Sequence, residues 1–169
     1  MDHEEGLLAG LMRELSKKEL SDLILTNQES MYRMAVSMLG SDADAQDAVS
    51  ESITRAFENR CRLRDKRKAK SWLLGILANV SRELRSKRGR VILMEEPEQY
   101  IKNVTTDHDD LWEIVMGLPY EIRIVVAGYY YERLTIREIS RMTGMAEGTV
   151  KSRLSKGRKK LAEFILNER

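Results

Sequence analysis

The sequence predicts an all-α protein of two small helical domains joined by a linker. Three observations favour this fold. Apolar residues recur at helical spacing along most of the 169-residue chain. Only two prolines occur, so little interrupts those helices. An acidic segment that contains Pro97 and has no clear apolar stripe separates the two helical parts, and we interpret residues 91–110 as the linker.

Three apolar stripes predict the N-terminal domain, residues 18–90, which follows an N-terminal extension, residues 1–17. Ser41 and Asp42 are candidate caps before the second stripe. Three such stripes can close a small core, in which methionine is an adaptable filler. We expect Trp72 to pack inward, with stacking on a nucleobase as the alternative. The stripes are Met31, Met34, Ala35, Met38 and Leu39; Ala45, Ala48, Val49, Ile53, Ala56 and Phe57; and Trp72, Leu73, Ile76, Leu77, Val80 and Leu84.

Charge is strongly segregated although the net charge is only +2. Between residues 60 and 90, twelve Lys and Arg residues face only two acidic ones, Asp65 and Glu83. Such a block predicts a surface for a polyanion. The linker is the reverse, with Glu95, Glu96, Glu98, Asp107, Asp109 and Asp110 against Lys102. An acidic linker would not follow DNA phosphates, so it could span a partner or shield the basic faces.

The C-terminal domain, residues 111–169, contains a helix-turn-helix pattern in TIREISRMTGMAEGTVKSRLSKGRKKL, residues 135–161. Thr135 and Glu138 fit a capping box, and Gly144 suits a left-handed helix end. Upstream, Pro119 suits the first turn of a helix, and the strand-like run at 124–131 is predicted helical because helices flank it. The inward stripe of the second helix is Val150, Leu154, Gly157, Leu161 and Phe164.

The outward side of this second helix combines short polar residues with long cations. Small and hydroxyl side chains allow close approach to base edges, and flanking cations reach phosphates. A solvated basic helix is the alternative, but the cap, the glycine turn and the amphipathic partner favour DNA binding. The outward residues are Gly148, Thr149, Ser152, Ser155, Lys156 and Lys159, flanked by Lys151, Arg153, Arg158 and Lys160.

Several other functional classes have no support. The chain has no apolar run long enough to span a membrane, and its acidic N-terminus does not resemble a signal peptide, so we expect a cytoplasmic protein. Cys61 is the one cysteine, and the only histidines are His3 and His108, so no metal site is expected. Phosphate-loop and nucleophile-elbow motifs are absent. We therefore predict no enzyme activity and no cofactor.

Three blocks, taken in order, resemble the two-domain extracytoplasmic-function (ECF) sigma factors, which give bacterial RNA polymerase its promoter specificity. They are DADAQDAVSESITRAFENR, KSWLLGILANVSRELRSKRGR and LPYEIRIVVAGYYYERLTIREISRMTGMAEGTVKSRLSKGRKKL. The resemblance covers nearly the whole chain. It implies that the N-terminal domain is sigma region 2 and the C-terminal domain is sigma region 4.

The resemblance also implies partners: core RNA polymerase through its β′ clamp helices and β flap, promoter DNA, and an anti-sigma factor. Polymerase docking would use Asp44, Asp47, Ser50, Glu51, Thr54 and Arg55. Capture of the minus 10 element would use Arg62, Arg64, Lys66, Arg67, Lys68, Trp72, Asn79 and Arg82. The minus 35 element would be read by Thr149, Lys151, Ser152, Ser155, Lys156, Arg158 and Lys159. Gln46 and Ser50 depart from the residues that most relatives carry at these positions. The loop at about residues 62–70, which would capture the minus 10 element, lacks the aromatic and glycine residues that many relatives carry there.

Two other functions stay open on sequence alone. A stand-alone helix-turn-helix regulator would bind duplex DNA tightly without polymerase. A protein-binding adaptor would use its basic faces for acidic partners. The second basic block, on a different domain from the helix-turn-helix, argues against both, because it suits a protein that contacts promoter DNA twice.

Overall fold

A computed structural model describes residues 14–89 and 110–167. The described residues form helices and turns without a strand, and the predicted all-α fold is confirmed. The predicted linker therefore lies outside the described residues except for Asp110, and so does most of the N-terminal extension. The extension is also predicted to hold a short amphipathic helix that uses Leu7, Leu8, Leu11, Met12 and Leu15; of these residues only Leu15 is described, and it is buried just before the first described helix.

Three helices form an N-terminal bundle: α1 (Lys17–Leu39), α2 (Asp42–Glu58) and α3 (Ala69–Gly89). Ser16 begins α1 with a capping box to Glu19, and Gly40 ends it at a φ of 67°. Ser41 caps α2, as predicted. The methionine stripe of α1 is fully buried, while Trp72 and Phe57 are half-buried at the edge of the core.

Two 3₁₀ turns, Arg60–Arg62 and Lys66–Lys68, connect α2 to α3. A small apolar cluster of Leu15, Leu63 and Ala69 anchors this connection to the segment before α1. The connection is thus fixed at one side by burial, while its cations project from it.

The C-terminal bundle contains α4 (Asp110–Met116), α5 (Tyr120–Val126), α6 (Ile136–Thr143) and α7 (Glu147–Asn167). A π-helical stretch, Ala127–Tyr131, continues α5, so the run at 124–131 is helical as predicted. Pro119 is the residue just before α5 rather than within its first turn. Tight packing of α7 on α5 requires Gly157, where an added Cβ would lie 2.4 Å from Val126 Cγ2.

The predicted inward stripe of α7 is correct for its first part. Val150, Leu154 and Gly157 are buried and Leu161 is half-buried. Phe164 is 48% exposed, so its predicted inward position is wrong. The reason is length, because α7 continues beyond the end of the shorter helices that cover its first turns.

The two bundles pack against each other. Helix α3 lies on α6, and α1 lies on α5 and on the π-helical stretch. One continuous cluster of buried apolar side chains crosses this interface, from Leu20 in α1 to Leu154 in α7. The helix-turn-helix therefore contacts α3. This helix directly follows residues 59–68, the basic connection between α2 and α3.

Candidate nucleic-acid interface

The helix-turn-helix is built as its sequence predicts. The Thr135 hydroxyl accepts a hydrogen bond from Glu138 N, and the Glu138 carboxylate accepts one from Thr135 N, which begins α6. Gly144 ends α6 with a φ of 76°. The Ser140 hydroxyl then donates to Met145 O at 2.6 Å and braces the turn. These local bonds fix the direction in which α7 leaves the bundle.

All seven residues predicted to read the minus 35 element lie exposed on α7. They are Thr149, Lys151, Ser152, Ser155, Lys156, Arg158 and Lys159. Arg158 donates a hydrogen bond to the Tyr130 hydroxyl at 2.8 Å, whereas the three lysines form no ion pair with any acidic group in the described ranges. Arg153, on the flank, is half-buried and paired with Glu121. The face therefore carries exposed cations beside short hydroxyl groups.

A second cationic surface is a cleft of about 620 Å³ between the basic connection, α3 and α6. Five of the eight residues predicted for minus 10 capture line it: Arg62, Arg64, Lys68, Trp72 and Asn79. The half-buried indole of Trp72 lies among these cations. A flat aromatic ring beside positive charge is a suitable surface for an unstacked base and its phosphate.

The other three predicted capture residues are engaged elsewhere. Lys66 Nζ lies 2.6 Å from Glu19 Oε1 on α1. Arg67 bonds to Asp65 at 3.1 Å, which raises the pKa of the guanidinium and lowers the pKa of the carboxyl. Arg82 donates to Met142 O at 3.0 Å and to the Asn79 side chain. The predicted set thus divides into five residues that line the cleft and three cations bound to other groups of the protein, although Asn79 of the cleft accepts a hydrogen bond from Arg82.

The helix predicted to dock on polymerase, α2, presents Asp47, Ser50, Glu51 and Thr54 to solvent. Arg55 is turned toward α3. It donates hydrogen bonds to Glu83 of α3 and to Glu51 of α2, and these bonds raise the pKa of the guanidinium above its ordinary value. The same bond lowers the pKa of Glu83.

Asp44 is placed differently from the other predicted docking residues. Its side chain is buried, and its carboxylate accepts a hydrogen bond from Arg88 Nη2 at 2.6 Å. The structure therefore places Asp44 between α2 and α3 instead of on the solvent face of α2. Asp44 thus differs from the exposed docking residues in having an internal cationic partner, and its predicted role in docking stays a prediction.

Sequence reasoning missed the contribution of α6 and of the interface between the bundles. Glu138 and Arg141 of α6 line the cleft together with the basic connection. Glu132 is buried, and both Arg33 and Lys70 reach it from the N-terminal bundle. The available signal was a lone charge within an apolar pattern: Arg33 stands among the methionines of α1, and Glu132 comes after three tyrosines.

Comparison with known proteins gives the family. The Sigma-70 region 2 model matches residues 23–91, and the Sigma-70 region 4 model matches residues 108–161. RNA polymerase sigma factor SigV of Bacillus subtilis is 30% identical over 146 residues, which are 84% of this chain and 88% of the relative. ECF RNA polymerase sigma factor SigL of Mycobacterium tuberculosis is 32% identical over 134 residues, which are 73% of this chain and 76% of the relative.

A solved structure has the same fold. It is the sigma factor RpoE in complex with the anti-sigma factor NepR from Bartonella quintana, matched with a TM-score of 0.73 and 22% identity over 90% of this chain and 99% of that one. Within residues 14–89 and 110–167, no helix combines the length and apolarity needed to cross a membrane. Two sigma regions in order, over most of the length of such relatives, establish that this chain belongs to the ECF sigma factors of RNA polymerase.

Proposed function

We propose that this sigma factor divides promoter recognition between α7, which reads the duplex minus 35 element, and the cleft, which captures the melted minus 10 strand. The observation that carries the proposal is the presence of two cationic surfaces of different shape on one chain. The first is a convex helix with exposed hydroxyl groups, and the second is a concave cleft with a tryptophan. A convex helix fits a major groove, whereas a cleft admits an unstacked base.

At the minus 35 element, the first turns of α7 would enter the major groove. Ser152 and Ser155 are short enough to let the helix approach base edges, and Lys151 and Lys156 are exposed beside them. Arg158 and Lys159 lie one turn later and would contact phosphates. Thr149, near the start of α7, would help to set the register.

At the minus 10 element, we assign contact with DNA to the cleft residues Arg62, Arg64, Lys68, Trp72 and Asn79. Lys66 and Arg67 would instead hold the connection in shape, because their cationic groups already have carboxylate partners. Arg82 would reach DNA only after giving up its bond to Met142 O. This assignment narrows the eight sequence-predicted residues to five direct contacts.

We assign polymerase docking to the exposed face of α2, with Asp47, Ser50, Glu51 and Thr54 as contacts to the β′ clamp helices. Asp44 and Arg55 would position the helix through Arg88 and Glu83. The C-terminal bundle would meet the β flap. A protein that works with polymerase in this way, and catalyses no covalent chemistry itself, would act in the cytoplasm.

The comparison with RpoE supports one more partner. That sigma factor was solved with an anti-sigma factor, and its fold is shared by this chain. We propose that an anti-sigma factor also regulates this protein. Its surface would need to be acidic where it meets the cleft, because Arg62, Arg64 and Lys68 are exposed there.

The test is reconstituted transcription with core RNA polymerase on genomic templates, with and without the protein. We expect start-site-specific transcripts only when the protein is present, and permanganate-reactive bases near the start site. Tight, specific duplex binding without polymerase, and no specific transcript on any template, would support a stand-alone regulator and contradict the proposal.

A further inference from the structure

A buried carboxylate joins the two bundles. Glu132 comes directly after the π-helical stretch of the C-terminal bundle, and its side chain has no solvent exposure. Arg33 of α1 donates to Glu132 Oε1 at 2.7 Å, and Lys70 Nζ at the start of α3 lies 3.0 Å from Oε2. Both cations belong to the N-terminal bundle, so the charge of one domain is neutralised by the other.

The energetics of such a contact suit a switch. Removing the Glu132 carboxylate from water is costly, and its attraction to Arg33 and Lys70, which stay 21% and 35% exposed, roughly repays this cost. The net gain from closing the bundles is therefore modest. Loss of one partner is much worse, because it leaves an uncompensated charge in a buried place. A contact of this kind therefore contributes little net stability to the closed arrangement while all partners are present, and the loss of one partner disfavours that arrangement.

Further polar contacts accompany it across the same interface. Arg123 of α5 donates to Ser37 O of α1 at 2.7 Å, and the Arg85 guanidinium lies 3.3 Å from the centre of the Tyr120 ring. These groups fix the relative orientation of the bundles more narrowly than apolar contact alone would. The interface is thus specific, and Glu132 is its buried charge.

Closure has a consequence for the cleft. In the closed arrangement α6 forms one wall, with Glu138, Arg141 and Met142 facing the basic connection. Arg82, a predicted DNA contact, is bound to the Met142 carbonyl at the end of α6. The carbonyl takes the place that a phosphate oxygen would occupy on the guanidinium. Strand capture and closure therefore compete for Arg82.

We propose that Glu132, Arg33 and Lys70 form an intramolecular lock that keeps the free sigma factor closed, and that opening the lock releases Arg82 and widens the cleft on its α6 side. The lock itself is independent of the proposed function. The effect of the lock on the cleft rests on that function. Polymerase or promoter DNA would open the lock by binding the separated bundles more tightly than the closed pair.

The lock is tested by an intramolecular distance in the full chain. In a Cys61→Ser background, spin or fluorescent labels at Ala43→Cys on α2 and Ala162→Cys on α7 report the separation of the bundles; both positions are exposed. We expect a single distance for the parent. Glu132→Gln and, separately, Lys70→Gln should add a longer distance and raise the open fraction by about tenfold.

A matched control is available on the same arginine. Glu29 also pairs with Arg33, but its side chain is 84% exposed and lies within α1. Glu29→Gln should leave the distance distribution unchanged. Unchanged distributions for both Glu132→Gln and Lys70→Gln would overturn the lock. Lys70→Gln guards against misfolding, because Lys70 is 35% exposed and outside the C-terminal bundle.

The effect on the cleft is measured separately, with the free protein and a single-stranded oligonucleotide that carries the minus 10 sequence of a promoter found in the transcription test above. We expect the lock variants to bind it about fivefold more tightly than the parent, as the competent state becomes more populated. A longer distance without tighter binding would overturn the claim that closure occludes the cleft. It would leave the lock supported, because the distance measurement uses no DNA.

Discussion

The proposed recognition face, which is the exposed set of predicted minus 35 residues on α7, and the proposed capture cleft carry similar cations in opposite settings. On α7 the predicted reading residues are exposed along one rigid helix, and its lysines have no carboxylate partner among the described residues. In the basic connection, Lys66 and Arg67 are held by Glu19 and Asp65, and Lys70, at the start of α3, is held by Glu132. A helix presents cations without help, whereas an irregular connection needs some of its cations to hold its own shape.

The two surfaces also share an element. Helix α6 is the first helix of the helix-turn-helix, where it supports α7, and it is a wall of the cleft. Motion of α6 away from α3 would leave the recognition face intact and change the cleft. The recognition face is therefore ready in the free protein, while the cleft depends on the arrangement of the bundles.

The largest expected effect is that of a substitution at Gly157, where α7 packs on α5. Gly157→Ala would place a Cβ 2.4 Å from Val126 Cγ2 and 3.1 Å from Ile122 Cγ2. We expect a loss of about 3 kcal/mol in the free energy of unfolding, despite the better helix propensity of alanine. Binding of minus 35 duplex should fall with it. Chemical denaturation and duplex titration measure the two effects.

Gly148→Ala is the matched control on the same helix. No atom lies within 4 Å of a Cβ added there, so we expect stability to be unchanged or slightly higher. If Gly157→Ala were as stable as the parent, α7 would have room to shift, and the rigid recognition face would be a wrong description.

A second comparison separates two lysines on the recognition face. Lys156→Ala should weaken minus 35 binding by about 1–3 kcal/mol and relax sequence preference, because we assign it a base contact. Lys160→Ala should weaken binding evenly across sequences and reduce the salt dependence by the equivalent of about one phosphate contact. Selection from a randomised duplex library measures both. Identical sequence profiles would contradict the division.

Within the basic connection, Arg64→Ala and Arg67→Ala test the division between contact and support. Arg64 lines the cleft, whereas Arg67 is bound to Asp65. We expect Arg64→Ala to reduce promoter opening about fivefold, equivalent to about 1 kcal/mol, and Arg67→Ala to have a smaller effect. Permanganate reactivity of the melted bases is the measurement, with duplex binding as the control. A larger effect at Arg67 would reverse the assignment.

The smallest effect concerns the ion pair that joins α2 to α3. Because the bond from Arg55 depresses the pKa of Glu83, the carboxylate stabilises the fold above its unfolded value of about 4.5, and this contribution disappears as pH falls through the lower folded value. At pH 7 we expect Glu83→Gln to cost about 0.5 kcal/mol, since the side chains are exposed and screened.

Unfolding measured against pH checks this expectation, with Glu58→Gln as the control because it lies exposed and without an ion pair to described residues. The difference between parent and Glu83→Gln should vanish in acid and shrink in high salt. A difference that grew as pH fell would contradict the assigned sign.

The sequence predicted the elements whose signals are local. Ser41, Thr135 and Gly144 act on neighbours within a few residues, and the structure has them as helix ends. The domain boundaries and the roles of the site residues stay predictions. The division of the basic block was not predictable, because Lys66 meets Glu19 at a separation of 47 residues and Lys70 meets Glu132 in the other bundle. A charge count cannot say which cations find such partners.

The position of Glu132 between the bundles depends on the one extra residue in the π-helical stretch. Glu132 N bonds to Ala127 O, five positions back, where an α-helix would use four. Removing one residue between them would restore the α-helical ladder and rotate the downstream chain by about 100°. Glu132 would then point away from Arg33. An insertion or deletion of one codon could thus change how tightly a sigma factor of this fold restrains itself, while every residue that reads the promoter stayed the same.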